Sequence, residues 1–114
     1  MSSKILVIDD ELLILNTVEK ALTRVGYTVA RAQNMEELGI ALRDAPFDLM
    51  ITDLHMDEDT AENIIERVKQ TSPGVKVLIM SGGSYKMDAD NFIEKPFKLD
   101  ELRGKVRAYL NASS

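Results

Sequence analysis

The chain has 114 residues, of which 45% are hydrophobic and 29% charged, and this size and composition predict a single domain over residues 1–114. No apolar run approaches the roughly 20 residues of a membrane span, and the N-terminus lacks the apolar core of a secretion signal, so we expect a cytoplasmic protein without membrane contact. The absence of cysteine excludes disulfides and thiolate metal sites, the single histidine excludes a His-rich zinc site, and the net charge of −5 argues against direct nucleic-acid binding.

The first part of the chain alternates between strand-like and helix-like patterns. Lys4–Ile8 is a short β-branched apolar run that predicts a buried strand, and it leads directly into Asp9 and Asp10. Helical spacing follows and ends at Gly26, which predicts a helix with four residues on one face: Leu15, Val18, Leu22 and Val25. Tyr27–Arg31 can form a second short strand.

Two further helices are predicted from cap-like pairs. Asn34 with Glu37 resembles a capping box that opens a helix running through Asp44, and Asp59 with Glu62 offers a similar start for the next helix. The residues expected on their buried sides are Leu38, Ala41 and Leu42 in the first and Ile64, Ile65 and Val68 in the second.

Three more strands are each followed by a polar residue. They are Leu49–Ile51 before Asp53, Val75–Met80 before Ser81, and Asn91–Glu94 before Lys95. A last helix has an apolar face formed by Leu99, Leu102, Val106 and Tyr109. Strands that alternate with helices predict an α/β fold with a doubly wound parallel sheet, and five strands suit the flavodoxin-like order 2-1-3-4-5.

Polar residues at successive strand ends predict a site at one edge of this sheet. Asp9, Asp10 and Asp53 would repel one another unless protons or a cation intervene, and all-oxygen ligands favour Mg²⁺, with Mn²⁺ as the nearest substitute. Ser81 and Lys95 offer a hydroxyl and an ammonium group to phosphoryl oxygens. The simpler interpretation, in which each aspartate only favours a helix N-terminus or a turn, explains one carboxylate but not three.

This ordered set resembles the receiver domain of bacterial two-component response regulators, including the single-domain chemotaxis type. The residues that carry the resemblance are Asp9-Asp10, Asp53, Ser81 and Lys95-Pro96-Phe97. It implies a phosphorelay in which a histidine kinase or phosphotransferase phosphorylates Asp53. It also implies that the protein is not an enzyme beyond assisting its own phosphorylation and dephosphorylation.

The resemblance assigns roles to further residues. Asp10 would ligate Mg²⁺ directly, Asp9 mainly through water, and the backbone carbonyl of His55 would supply another oxygen. Ser81 and Lys95 would bind the phosphoryl oxygens, and the Lys95–Pro96 bond would be cis. Ser81 and Phe92 would act as the switch, with Ser81 moving towards the phosphoryl group and the aromatic ring turning into the vacated space; alternatively, Phe92 is a core residue.

The sequence departs from the family pattern after Asp53 and before Lys95. Lys95 follows Ser81 by only 14 residues, so the family's fourth helix is expected to be missing or reduced to a loop over Ser84–Asp90. Met56-Asp57 and Ala61 stand where the family typically has Met-Pro and Gly. The family commonly uses the surface of its fourth helix, fifth strand and fifth helix for dimerisation and output. Because that fourth helix is expected to be missing or reduced, the sequence identifies no output protein and leaves a homodimer open.

Two other functions compete with the phosphoacceptor. The first is a degenerate receiver that acts as a phosphorylation-independent protein-binding module, which the short interval before Lys95 favours. The second is a phosphohydrolase with an aspartyl nucleophile. Haloacid-dehalogenase-like enzymes need an Asp-x-Asp after their first strand, and Asp9-Asp10 does not supply it.

Overall fold

The structure, a computed structural model, describes residues 3–54, 56, 58–82 and 91–111. The five strands in these residues are β1 (Lys4–Ile8), β2 (Thr28–Ala32), β3 (Leu49–Asp53), β4 (Lys76–Ser81) and β5 (Phe92–Glu94). The helices are α1 (Leu12–Thr23), α2 (Met35–Ala41), α3 (Ala61–Thr71) and α4 (Leu99–Asn111), and a 3₁₀ turn at Leu42–Asp44 extends α2. No helix among the described residues has the length and apolar character needed to cross a membrane.

All neighbouring strands pair in parallel, in the order β2-β1-β3-β4-β5. This is the flavodoxin-like order, so the predicted fold is confirmed. The register places the end of β1 beside the end of β3, because Ile8 pairs with Thr52. Asp53 pairs with Met80 on β4. The carboxyl ends of these strands therefore meet at one edge of the sheet, where the site residues follow.

The sheet is covered on both faces by helices. Alternate residues of β1 divide between two cores, because successive side chains of a strand point to opposite faces. Ile5 and Val7 belong to the core that includes α1 and α4, whereas Leu6 and Ile8 belong to the core that includes α2 and α3. Burial of each such side chain contributes roughly 1.5–3 kcal/mol. The short apolar strands are thus the central layer that fixes the position of the site.

Most residues predicted on buried helix faces lie in these cores, but two positions differ. Val25 is 51% exposed, because α1 ends at Thr23 and the chain then turns through Gly26 at a φ of 98°. Helical spacing no longer applies beyond Thr23. Leu99, the first residue of α4, is also exposed.

Several boundaries differ from the prediction by one residue. β2 runs one residue later than Tyr27–Arg31, β4 includes Ser81, and β5 begins at Phe92. The predicted Asp59–Glu62 cap of α3 is wrong, because the N-cap lies one residue after Asp59. Thr60 is the N-cap and accepts a hydrogen bond from the Asn63 backbone N–H at 3.1 Å. Asp59 instead accepts from the Asn63 side chain, which is the main reason that its pKa is lowered.

The predicted cap of α2 is present in a modified form. The Asn34 side chain accepts a hydrogen bond from the Glu37 backbone N–H at 2.8 Å, as expected for an N-cap. The Glu37 carboxylate reaches back to the backbone N–H of Gln33, one residue before the cap, rather than to that of Asn34. Both hydrogen bonds stabilise the turn between β2 and α2, which lies beside the site.

We expect Asn34→Ala to lower the free energy of unfolding by about 1 kcal/mol, because it leaves the Glu37 N–H without its side-chain acceptor. Urea unfolding measures this difference. Gln70→Ala, a change at an exposed position of α3, is the control and should stay within about 0.5 kcal/mol of wild type. Equal stability of Asn34→Ala and the control would show that the cap contributes nothing.

The connection between β4 and β5 is short. It comprises residues 82–91, which is less than the dozen or more residues usual between parallel strands. The full-length fourth helix of the family does not fit this interval, in agreement with the prediction. The predicted loop at Ser84–Asp90 lies outside the described residues, and α4 corresponds to the family's last helix.

Candidate functional site

Three carboxylates meet at the ends of β1 and β3. Asp9, Asp10 and Asp53 each offer one oxygen, and these oxygens all lie within 4.8 Å of one another. Asp9 is 0% exposed and Asp53 is 6% exposed, while Asp10 is half-buried. Like charges this close destabilise one another unless a cation or protons compensate them. The predicted carboxylate cluster is therefore formed.

Lys95 supplies one compensating charge. Its Nζ lies 2.8 Å from Asp9 Oδ2, 3.3 Å from Asp53 Oδ2 and 3.5 Å from Glu11 Oε1. Lys95 thus pairs with both buried aspartates, and its shortest contact is with Asp9. The side chain is 11% exposed, so water screens these contacts only weakly. The Lys95–Pro96 peptide bond is cis, as predicted.

Asp9 is a buried structural partner of Lys95. Its Oδ2 accepts from the lysine, and its Oδ1 accepts from the Glu11 backbone N–H at 2.9 Å. Burial raises the pKa of Asp9, and these two hydrogen bonds oppose that effect. Burial also acts to lower the pKa of Lys95, but the carboxylates of Asp9 and Asp53 outweigh it and raise the pKa. Lys95 therefore remains a cation at neutral pH.

The cluster has the chemistry of a divalent metal site. One lysine offsets only part of the charge of three aspartates, and carboxylate oxygens are ligands that hard cations prefer. Because both oxygens of Asp9 already accept hydrogen bonds, Asp10 is the better direct ligand of the two aspartates that follow β1. The predicted carbonyl ligand, His55, lies outside the described residues.

Ser81 brings a hydrogen-bond donor to the same edge. It is the last residue of β4, and its backbone carbonyl accepts from the Lys95 N–H at 2.7 Å. Its Oγ is buried and has no hydrogen-bond partner among the residues that the structure describes. A buried hydroxyl without a partner is costly, which suits a residue whose acceptor is a ligand.

Phe92 is the first residue of β5 and is half-buried. Its neighbour in β5, Ile93, belongs to the core that includes α1 and α4. Phe92 is thus not a fully buried core residue. The switch role of Phe92 stays a prediction.

The structure adds two residues that the sequence reasoning did not include. Glu11 contacts Lys95 with its carboxylate and Asp9 with its backbone N–H. Gln33 donates from Nε2 to the backbone carbonyl of Asp10 at 3.3 Å. Glu11 was identifiable as a third acidic residue after β1, whereas nothing in the local pattern indicated Gln33.

The chain is similar to known proteins over all five strands of the sheet. Residues 5–107 match the family model of the response regulator receiver domain. The chain is 33% identical to the DNA-binding transcriptional regulator NtrC of Rhizobium meliloti (strain 1021), over 90% of this chain and 23% of that protein. It thus spans about a quarter of the length of the NtrC regulators it matches and 56% of the length of the transcriptional regulatory protein CrdR of Helicobacter pylori.

Two solved structures show the same architecture. A response regulator from Thermotoga maritima superposes with a TM-score of 0.82 and 28% identity, covering 98% of this chain and 100% of that chain. A response regulator receiver domain protein from Clostridium thermocellum superposes with a TM-score of 0.78 and 29% identity, covering 96% and 94%. The similarity therefore includes the strands that carry the carboxylates, Ser81 and Lys95.

Proposed function

Because the chain belongs to the response regulator receiver domain family of two-component systems, we propose that Asp53 accepts a phosphoryl group from a histidine kinase or phosphotransferase. The observation that carries the proposal is the position of Asp53, which lies within the carboxylate cluster and 3.3 Å from the Lys95 ammonium group. An Asp53 carboxylate oxygen would attack the phosphorus atom as the bond to the donor breaks, which yields an acyl phosphate.

The donor set fits Mg²⁺, for which Mn²⁺ is the nearest substitute. Asp10 and Asp53 would be direct carboxylate ligands, Asp9 would act through water, and the backbone carbonyl of His55 would complete the protein ligands. When bound, the ion neutralises negative charge on the carboxylates and on the phosphoryl oxygens.

Lys95 and Ser81 would act on the phosphoryl group itself. Lys95 is already cationic and held at the site by three carboxylates, so it can pair with a phosphoryl oxygen by a small movement. The Ser81 hydroxyl would donate to another phosphoryl oxygen, and Phe92 would turn as Ser81 moves. Phosphorylation would thereby change a surface read by an unknown output protein. Beyond its own phosphorylation and dephosphorylation, the protein would not be an enzyme.

The test is incubation with Mg²⁺ and a small phosphodonor, acetyl phosphate, followed by intact mass measurement. Gain of one phosphoryl group that requires Mg²⁺ supports the proposal. No gain by wild-type protein would favour the alternative function, a phosphorylation-independent binding module, which the short β4–β5 connection supports.

We expect Ser81→Ala to separate stability from phosphorylation. Without phosphodonor, removal of a buried hydroxyl that lacks a partner should leave the free energy of unfolding unchanged or raise it by about 1 kcal/mol. Loss of a hydrogen bond to the charged phosphoryl oxygens, worth about 1.5–3 kcal/mol, should slow phosphorylation by about tenfold to a hundredfold. Urea unfolding and the acetyl phosphate reaction measure the two effects. A slower reaction accompanied by lower stability would assign Ser81 a structural role instead.

A further inference from the structure

We propose that Glu58 is a positioning residue that ties the loop after β3 to the first turn of α2 and so prepares the acidic site for its cation. This inference rests on the proposed function, because it concerns the same Mg²⁺ site. Glu58 lies five residues after Asp53 in sequence and does not belong to the carboxylate cluster.

The tie is a hydrogen bond between residues distant in sequence. Glu58 Oε1 accepts from the backbone N–H of Met35 at 2.9 Å. Met35 is the first residue of α2, so this N–H has no acceptor within the helix. Glu58 and Asn34 thus serve different N–H groups of the same turn, since the Asn34 side chain accepts from Glu37.

The same turn contacts the site from its other side. Gln33 Nε2 donates to the backbone carbonyl of Asp10, and the Asp9 backbone N–H donates to the carbonyl of Ala32. Residues 32–35, from the end of β2 to the first residue of α2, therefore connect the loop that carries Asp10 to the loop that follows Asp53. A hollow of about 350 Å³ lies between these loops and is lined by Asp10, Gln33, Asn34, Met56 and Glu58.

This connection has a consequence for cation binding. Ordering a loop when a ligand binds costs conformational entropy, and a loop that is already held loses less. Groups that orient metal ligands commonly change metal affinity by about tenfold to a hundredfold. Because Glu58 is exposed, its effect should lie at or below the lower end of that range.

The charge of Glu58 offers a competing explanation, since any nearby carboxylate attracts a cation. Two substitutions separate the explanations. Glu58→Ala removes both the charge and the acceptor, whereas Glu58→Gln removes the charge and keeps an oxygen that can accept from Met35. Glu62→Ala is the matched control, because Glu62 is an exposed glutamate in the first turn of α3.

The experiment is Mg²⁺ titration of the full chain by calorimetry, combined with amide hydrogen exchange without Mg²⁺. We expect Glu58→Ala to raise the Mg²⁺ Kd by about threefold to tenfold. Glu58→Gln and Glu62→Ala should stay within about twofold of wild type, because exposed charges are screened. In Glu58→Ala the Met35 amide should also exchange faster, whereas in Glu58→Gln it should remain close to wild type.

Three outcomes would overturn the inference. Equal Mg²⁺ affinity of wild type and Glu58→Ala would show that the tie does not matter to the site. Equal weakening in Glu58→Ala and Glu58→Gln would assign the effect to charge. Failure of wild type to bind Mg²⁺ would reject the proposed function and the positioning role with it, and this result is distinct from the other two.

Discussion

Asp53→Asn is expected to reduce phosphoryl incorporation to background, a loss of at least about a hundredfold. An asparagine amide has no carboxylate oxygen with which to form the acyl phosphate, and neither neighbouring aspartate is an equivalent acceptor. Asp9 is 0% exposed, and both of its oxygens accept hydrogen bonds from the protein. Asp10 lies in the loop between β1 and α1, where it is better suited to bind the cation.

The measurement is the mass of the intact protein after incubation with acetyl phosphate and Mg²⁺. Asp44→Asn is the matched control, because it makes the same chemical change at an exposed aspartate beside Lys4, at the opposite end of β1 from the site. The control should be phosphorylated like wild type. Incorporation by Asp53→Asn at the wild-type rate would reject Asp53 as the acceptor.

The fold and the carboxylate cluster were predictable from sequence, because both follow from short local patterns and the order of the strands. Strands such as Lys4–Ile8 are short apolar runs, and the ordering of strands and helices restricts the sheet to a few topologies. In a parallel sheet the residues after such strands must meet at one edge. The predicted strand ends therefore place Asp9, Asp10 and Asp53 together, and the structure confirms their proximity.

The partners of individual side chains were less predictable. Lys95 lies 86 residues from Asp9 in sequence, and Glu58 lies 23 residues from Met35. Which of several nearby groups each one contacts depends on angstrom-scale distances that no periodicity encodes. Helix ends also depend on local competition between caps, and at α3 Thr60 takes the place predicted for Asp59.

Lys95→Met is expected to destabilise the fold by about 3 kcal/mol at neutral pH without Mg²⁺. The substitution keeps a long side chain but removes the cation that faces Asp9 and Asp53, two carboxylates that are almost fully buried. Removing one partner of a buried ion pair leaves the other charge uncompensated, which is the main source of the loss. The structural contribution of Lys95 is therefore separable from its proposed contact with phosphoryl oxygens.

Two conditions should reduce this loss. Mg²⁺ should stabilise Lys95→Met more than wild type, because the variant site carries one more uncompensated negative charge. Lower pH should act in the same direction. Burial raises the pKa of Asp9 above its ordinary value of 3.8, so its folded form binds a proton before the unfolded chain does. An ionised, buried Asp9 lowers the free energy of unfolding, and this loss is recovered as the pH falls through the raised pKa of folded Asp9 towards 3.8. The recovery should be larger in Lys95→Met, because Lys95 opposes the rise in the pKa of Asp9.

Urea unfolding at several pH values, with and without Mg²⁺, measures these effects. Lys98→Met is the control, since it makes the same substitution at an exposed lysine, and it should change the free energy of unfolding by no more than about 0.5 kcal/mol. If Lys95→Met were as stable as the control, the contact with Asp9 would contribute nothing to folding. If the loss were large but independent of pH and Mg²⁺, it would come from packing of the lysine chain, because only an uncompensated carboxylate responds to protons and cations together.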